Sequence, residues 1–435
     1  MTGPVALGDV DGDGIPDLFV GARLVPGAWP LPGRSHLYRG NRDGGFDPDP
    51  SRDASLAALG MVTAATFADL TGDGRSDLVV TSEWGPVRVL HNVDGQLRDA
   101  TESLGLSGIS SRWIGVTAGD FDGDGRLDLV ATSWGRNTPW RASPARPHEL
   151  FVARFGSALG LLFAQRDSAT GEEYPLESLS RLGVAWPDVR ARIGSYDEYA
   201  RATAQSVLGD AASAAIRVGA TTFDHTLFLN RGARFEPRAL PPLAQLAPAS
   251  APVVADFDGD GREDLFLSQN FFPTEIGTMR FDAGAGLVLR GDGAGGFTPL
   301  SVRASGIEIL GDQRGAAVAD YDGDARADLV VTQNGAATRL FRNVRARQGV
   351  RVRVDAGPDN RLGIGTQLRV MVGERAGPVR EVRAGTGYWS TDGATTVLAL
   401  PDGATSVEVR WPGGQLQAVP LSAGMRELRV ARQAP

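Results

Sequence analysis

The chain has 435 residues, 57 glycines, no cysteine and a formal net charge of −8. Its length exceeds what one small core serves, so one large repeat domain plus a further module is expected. The acidity argues against a nucleic-acid backbone as partner, the missing thiols exclude disulfides and iron–sulfur centres, and no run of eighteen apolar residues is present to span a membrane.

Short Val/Leu runs between Gly/Asp/Asn turns predict an all-β chain. The pattern Asp-x-Asp-Gly-Asp-Gly-x-x-Asp, intact or nearly so, begins at Asp9, Asp69, Asp120, Asp256 and Asp320. An apolar strand precedes each loop, as in Val62-Thr63-Ala64-Ala65-Thr66-Phe67 and Pro252-Val253-Val254-Ala255. A second follows it: Leu18-Phe19-Val20, Leu78-Val79-Val80, Leu129-Val130-Ala131, Leu265-Phe266-Leu267 and Leu329-Val330-Val331. A third strand with a polar turn comes next, as in Val89-Leu90-His91-Asn92 and Leu340-Phe341-Arg342-Asn343, often with Gly-x-Phe after it (Gly45-Phe46 and Gly296-Phe297). Three or four short strands per unit, at a period of about 50–65 residues, is the arithmetic of β-propeller blades.

Met1 is followed almost at once by the lead-in strand Val5-Ala6-Leu7-Gly8, so a mature or truncated form is expected rather than one with a visible secretory signal. The interval from Asp120 to Asp256 is about twice the period, and Phe151-Val152-Ala153-Arg154-Phe155-Gly156-Ser157-Ala158 reads as a degenerate unit that has lost its acids. Residues 175–216 then break the β pattern. Ser195-Tyr196-Asp197-Glu198 is a capping box ahead of apolar residues at helical spacing, which predicts a helical insertion between blades. Past Asn343 the Asp loops stop, so residues 1–345 are expected to form the repeat domain and 346–435 a second β-rich module. There, the alternation in Val407-Glu408-Val409-Arg410-Trp411 predicts an antiparallel strand with one buried face, turned by Pro412-Gly413-Gly414.

Carboxylates at loop positions one, three, five and nine, with a backbone carbonyl at seven, can converge on one hard cation, and oxygen-only ligation suits Ca²⁺ better than zinc or copper. The expected ligands are Asp9, Asp11, Asp13 and Asp17 in the first loop, and Asp69, Thr71, Asp73 and Asp77 in the second. Asp120, Asp122, Asp124 and Asp128 form the third, Asp256, Asp258, Asp260 and Asp264 the fourth, and Asp320, Asp322, Asp324 and Asp328 the fifth. Thr71 weakens loop two, and Ala325 replaces the turn glycine of loop five (Gly14, Gly74, Gly125 and Gly261 elsewhere), so loops one, three and four should bind most tightly. An EF-hand fails at position twelve, where a bidentate Glu is required but Val20, Val80, Ala131, Leu267 and Val331 stand. The scattered His36, His91, His148 and His225 lack zinc spacing and are expected to be surface or packing residues.

From about residue 3 to 345 these units resemble the FG-GAP/VCBS repeats of integrin α-subunits and the cartilage acidic protein family. Leu362-Gly363-Ile364-Gly365-Thr366, Val382 to Thr391 and Val407 to Gly414, in that order, resemble the ASPIC/UnbV domain. Leu398-Ala399-Leu400-Pro401 departs from that domain's Gly-rich pattern. The resemblance implies a seven-bladed β-propeller with several structural Ca²⁺ ions.

The leading functional reading is a non-catalytic binding or adhesion module for a protein or glycan partner, outside the cytoplasm: extracellular, periplasmic or at the cell surface. The alternative is an enzyme acting on a small molecule or carbohydrate, in a pocket at the propeller axis or beside the helical insertion. No nucleophile signature or phosphate-cradling loop supports it, and no catalytic residue is assigned. Trp84, Trp113, Trp134 and Trp140, with Arg112, Arg136 and Asn137 nearby, are the one pointer to a binding surface, against packing between blades.

Overall fold

In the computed structural model, which describes residues 1–155, 158–274 and 278–433, the chain is all-β with a short helical stretch. Each Asp loop closes a hairpin between the two apolar strands beside it. The register repeats: the residue before the loop pairs with the ninth-position aspartate, as Gly8↔Asp17, Ala68↔Asp77, Gly119↔Asp128, Ala255↔Asp264 and Ala319↔Asp328. Five sheets follow this plan among the described residues, two fewer than the seven that the resemblance implies. Their first strands are Thr2–Gly8, Met61–Ala68, Gly115–Gly119, Ala249–Ala255 and Asp312–Ala319. Side chains from neighbouring sheets interlock into shared cores; Ala6, Phe19 and Leu37 of the first unit pack with Val62, Phe67 and Leu78 of the second.

The third unit corrects one expectation. Its second strand, Asp128–Thr132, pairs with Thr226–Asn230 through Leu129↔Phe228 and Val130↔Leu227. Everything between is therefore an insertion within one unit, not a degenerate blade followed by a separate helical segment. The insertion is a sheet of its own, in the order Glu173–Pro175, Ala158–Arg166, His148–Phe155, Ile216–Ala220. Gly156 and Ser157, part of the segment read as an emptied loop, lie outside the described residues. Helices Leu179–Ala185, Pro187–Arg192, Tyr196–Tyr199 and Ala204–Leu208 cover one face, burying Leu182, Val189 and Val207 against Leu162 and Ala164. At Ser195 the capping box forms: its hydroxyl accepts the Glu198 N–H, and the Glu198 carboxylate accepts the Ser195 N–H.

The tryptophans pack rather than line a groove. Trp113 is buried edge-on against Phe228. The Arg112 guanidinium lies 5.0, 4.8 and 5.2 Å from the ring centroids of Trp84, Trp134 and Trp140, and pairs with buried Glu83 at 2.7 Å. His148 stacks on Trp84 and Phe163 inside this cluster; His225, also buried, accepts the Ser133 N–H on Nδ1 and faces the Ala247 carbonyl with Nε2. Burial pushes both imidazoles down to about 4. Folded-state values below the unfolded one mean that stability is complete above about pH 6.5 and is lost as pH falls through 4. Each histidine should withdraw about 3 kcal/mol over that window. Loop aspartates whose carboxyls burial pushes up titrate with the opposite sign, so the histidine contribution is read by comparison: between pH 6.5 and 4, urea unfolding should show the wild type losing about 3 kcal/mol relative to His148→Phe.

In the C-terminal module Val350–Asp355 pairs in parallel with Glu427–Ala431, while Gln367–Val372, Ser406–Arg410 and Leu416–Pro420 form an antiparallel sheet. Val407, Val409 and Trp411 are fully buried, with Glu408 and Arg410 on the other face, as the alternation predicts. Between those elements one segment leaves the module and enters the space among the five sheets. Leu7 N–H donates to Ala384 O, Val116 exchanges two hydrogen bonds with Gly387, and Trp389 Nε1 donates to Thr63 O. Val318 N–H donates to Asp392, and Gly393 N–H to Val318 O. Two glycines make this fit: a Cβ on Gly385 would lie 2.6 Å from Val5 O, and one on Gly387 3.0 Å from Pro252 O, both at positive φ. Residues 384–393 thus touch the first strand of every unit.

Candidate metal centres

In four loops three carboxylates converge, with one oxygen of each within 4.8 Å of the others. The sets are Asp9, Asp11 and Asp13; Asp120, Asp122 and Asp128; Asp256, Asp258 and Asp260; and Asp320, Asp322 and Asp328. Loop two forms no such group among the described residues, and Thr71 instead donates its hydroxyl to Asp69. The ninth-position aspartate joins the set in loops three and five, where Asp124 and Asp324 turn to Arg126 and Arg326.

Position one organises the turn. Asp9 accepts the N–H groups of Gly12 and Gly14 at 2.8 and 3.0 Å, and Asp69, Asp256 and Asp320 repeat this with the residues at positions four and six. Position nine ties the loop to the sheet. Asp128 accepts Phe121 N–H at 3.0 Å on one oxygen and Asn230 N–H at 2.7 Å on the other. Asp17, Asp77, Asp264 and Asp328 make the same two contacts, with Gly40, Asn92, Gly291 and Asn343 ending the third strand. The three asparagines among them reach further: Asn92, Asn230 and Asn343 donate their side-chain amides to Val10 O, Leu70 O and Phe257 O of the preceding unit. Each bridges two loops, a role that the sequence pattern marks only as a recurrent Asn in a turn.

Burial pushes the Asp77, Asp128 and Asp264 carboxyls up to about 8, and those of Asp9 and Asp120 to about 6, against the lowering effect of the backbone N–H groups they accept. Asp120 Oδ1 is buried without a hydrogen-bond partner. An all-oxygen donor set with an orphaned buried carboxylate oxygen fits a hard divalent cation.

The loops differ in backbone strain as well as ligands. Gly14 and Gly261 sit at φ +87° and +88° with open space where a Cβ would go, while Ala325 holds φ 62°. Gly14→Ala and Gly261→Ala should each cost about 1 kcal/mol in denaturant unfolding, from backbone strain alone. Gly74→Ala should cost more, because its Cβ would stand 2.6 Å from Gly414 N of the C-terminal module.

That module covers the loop face. Between it and units three to five is a cavity of about 90 Å³ lined by Glu263, Arg380, Glu381, Arg383 and Asp392. Arg380 Nε lies 2.7 Å from buried Glu263; burial opposes the guanidinium charge, but Glu263 and Asp256 outweigh it and hold the pKa above the usual arginine value. Burial also pushes the Glu381 carboxyl up to about 7. These charges escape a sequence reading because their partners lie more than a hundred residues away.

Two family models match the chain: FG-GAP-like repeat, over residues 9–80 and 69–131, and ASPIC and UnbV, over residues 356–435. Human cartilage acidic protein 1 is 23% identical over 382 residues, covering 86% of this chain and 44% of that protein. Mouse phosphatidylinositol-glycan-specific phospholipase D is 38% identical over 87 residues, 19% of this chain and 10% of that protein. The chain spans less than half the length of these curated relatives. Among solved structures, exotype rhamnogalacturonan lyase YesX aligns over 99% of this chain and 73% of its own, at 12% identity and a TM-score of 0.35, which carries no argument about fold or chemistry. The chain carries FG-GAP-like repeats followed by a C-terminal ASPIC and UnbV domain.

Proposed function

We propose that the protein is a calcium-stabilised, propeller-type scaffold that binds a protein or glycan partner and performs no chemistry of its own. The observation that carries the calcium reading is the convergence of three carboxylates in each of four loops, with Asp120 Oδ1 left unpartnered. Asp9, Asp11 and Asp13, and their counterparts in loops three, four and five, would hold the ions; loop two, with Thr71, would hold one weakly or stay empty. A bound ion supplies positive charge among these carboxylates and so fixes the connection between two strands of each unit. The propeller reading is supported by five sheets whose first strands all meet residues 384–393. That segment fills the axis, which removes support from a catalytic pocket there.

Weak oxygen sites are filled where free calcium is about millimolar, which supports a working environment outside the cytoplasm. No helix among the described residues is long and apolar enough to cross a membrane. Thermal unfolding tests the calcium reading directly. Metal-stripped protein in a chelator should melt about 10 °C or more below the calcium-loaded form, and added calcium should restore the difference. Equal melting temperatures in chelator and calcium would refute it.

A further inference from the structure

We propose that the C-terminal module is a clasp that the calcium loops hold in place, so that removing the ions loosens the module and withdraws residues 384–393 from the axis; this rests on the calcium reading above. The module grips the loops by their backbone and their first-position carboxylates. At loop two, Arg410 Nη1 donates to Gly72 O at 2.6 Å, Gly413 N–H to Gly74 O at 2.9 Å, and Asp69 N–H to Glu381 at 3.1 Å. At loop three, Val379 N–H donates to Asp120 Oδ2 at 2.9 Å. At loop four, Arg347 N–H donates to Asp258 O at 3.1 Å. At loop five, Gly349 N–H donates to Ala325 O at 2.9 Å, Gln348 to Asp324 O at 3.2 Å, and Arg351 pairs with Asp320 at 2.6 Å.

Every one of these acceptors or donors belongs to a loop whose turn sets where it points. Gly72, Gly74, Asp258, Asp324 and Ala325 lie at positions three to six, between the carboxylates that would wrap an ion. Without the cation the three carboxylates within 4.8 Å in each of loops three, four and five repel one another and those turns relax, which displaces the Asp120 and Asp320 carboxylates and the carbonyls of Asp258, Asp324 and Ala325 that the module uses. The module keeps its own buried core of Val350, Val352, Leu368, Val407, Val409 and Trp411, so its grip can loosen while its strands remain paired. The axial segment is tied to the module through Arg380–Glu381 and Thr396–Leu398 on either side, so it moves with the module.

Hydrogen–deuterium exchange on the full chain, well below the melting temperature, tests this. In chelator, the amides of Gly387 and Gly393, and of Val116 and Val318 opposite them, should exchange about tenfold faster than with calcium. Those of Val350–Asp355 and Ser406–Arg410 should stay protected. Arg410→Ala should raise exchange at Gly387 in calcium while calcium stoichiometry by equilibrium dialysis is unchanged. If calcium binds and the loop amides respond to chelator but residues 384–393 do not, the clasp is wrong and the calcium reading stands. If dialysis finds no bound calcium, both fall.

Discussion

Asp128→Ala should destabilise the protein by about 3–5 kcal/mol, whether or not calcium is present. The side chain is fully buried and accepts Phe121 N–H and Asn230 N–H, so its removal orphans two buried donors at the junction of loop and third strand. Asn230 also reaches Leu70 O, so the damage should spread to the second unit. Asp124→Ala, which loses a partly exposed carboxylate paired with Arg126, should cost less than about 1 kcal/mol in chelator. Urea unfolding of both variants in calcium and in chelator separates the roles. If Asp128→Ala matches the wild type in chelator, position nine is a cation ligand and nothing more.

The second large effect is expected where the two modules meet. Glu263→Ala leaves the Arg380 guanidinium buried without its carboxylate, and Arg380→Ala strands Glu263 in the same way, so each should cost about 3–5 kcal/mol. Arg380 also donates to Val397 O, so its loss should be the larger of the two. Replacing both, as Glu263→Leu with Arg380→Met, should recover much of the loss, because neither charge of the pair is then left buried without its partner. Single variants within about 1 kcal/mol of wild type would show that water reaches this junction and screens the pair.

The hairpin character of the Asp loops was legible because acid spacing and flanking β-branched runs are both local. The same holds for the Ser195–Glu198 cap and for the strand at Val407–Trp411, whose alternation reports one buried face. The insertion was misread for a physical reason. Strand pairing between Asp128–Thr132 and Thr226–Asn230 spans nearly a hundred residues, and no residue pattern in His148–Phe155 says which sheet will receive it. The tryptophans illustrate a different limit. A sequence gives Trp84, Trp134, Trp140 and Arg112 as neighbours in a plausible sugar-stacking set, but only the fold reveals that Arg112 sits among the rings and is neutralised by Glu83. The candidate metal ligands stood between these cases: the residue types were plain, whereas which three of the four carboxylates converge differs from loop to loop and is set by the folded turn.

The segment 384–393 makes this a chain that finishes itself from the inside. Its partner strands begin at Thr2 and are all synthesised before it, so the five sheets must come together around a centre whose filling has not yet been made. Pairing Leu7 with Ala384 closes a loop from residue 7 to residue 384, the kind of contact that forms late and slowly. A nascent chain stalled before residue 384 would expose backbone along the first strands of several units at once, which makes the interval before that segment emerges the one in which these sheets are most open to aggregation and to chaperones.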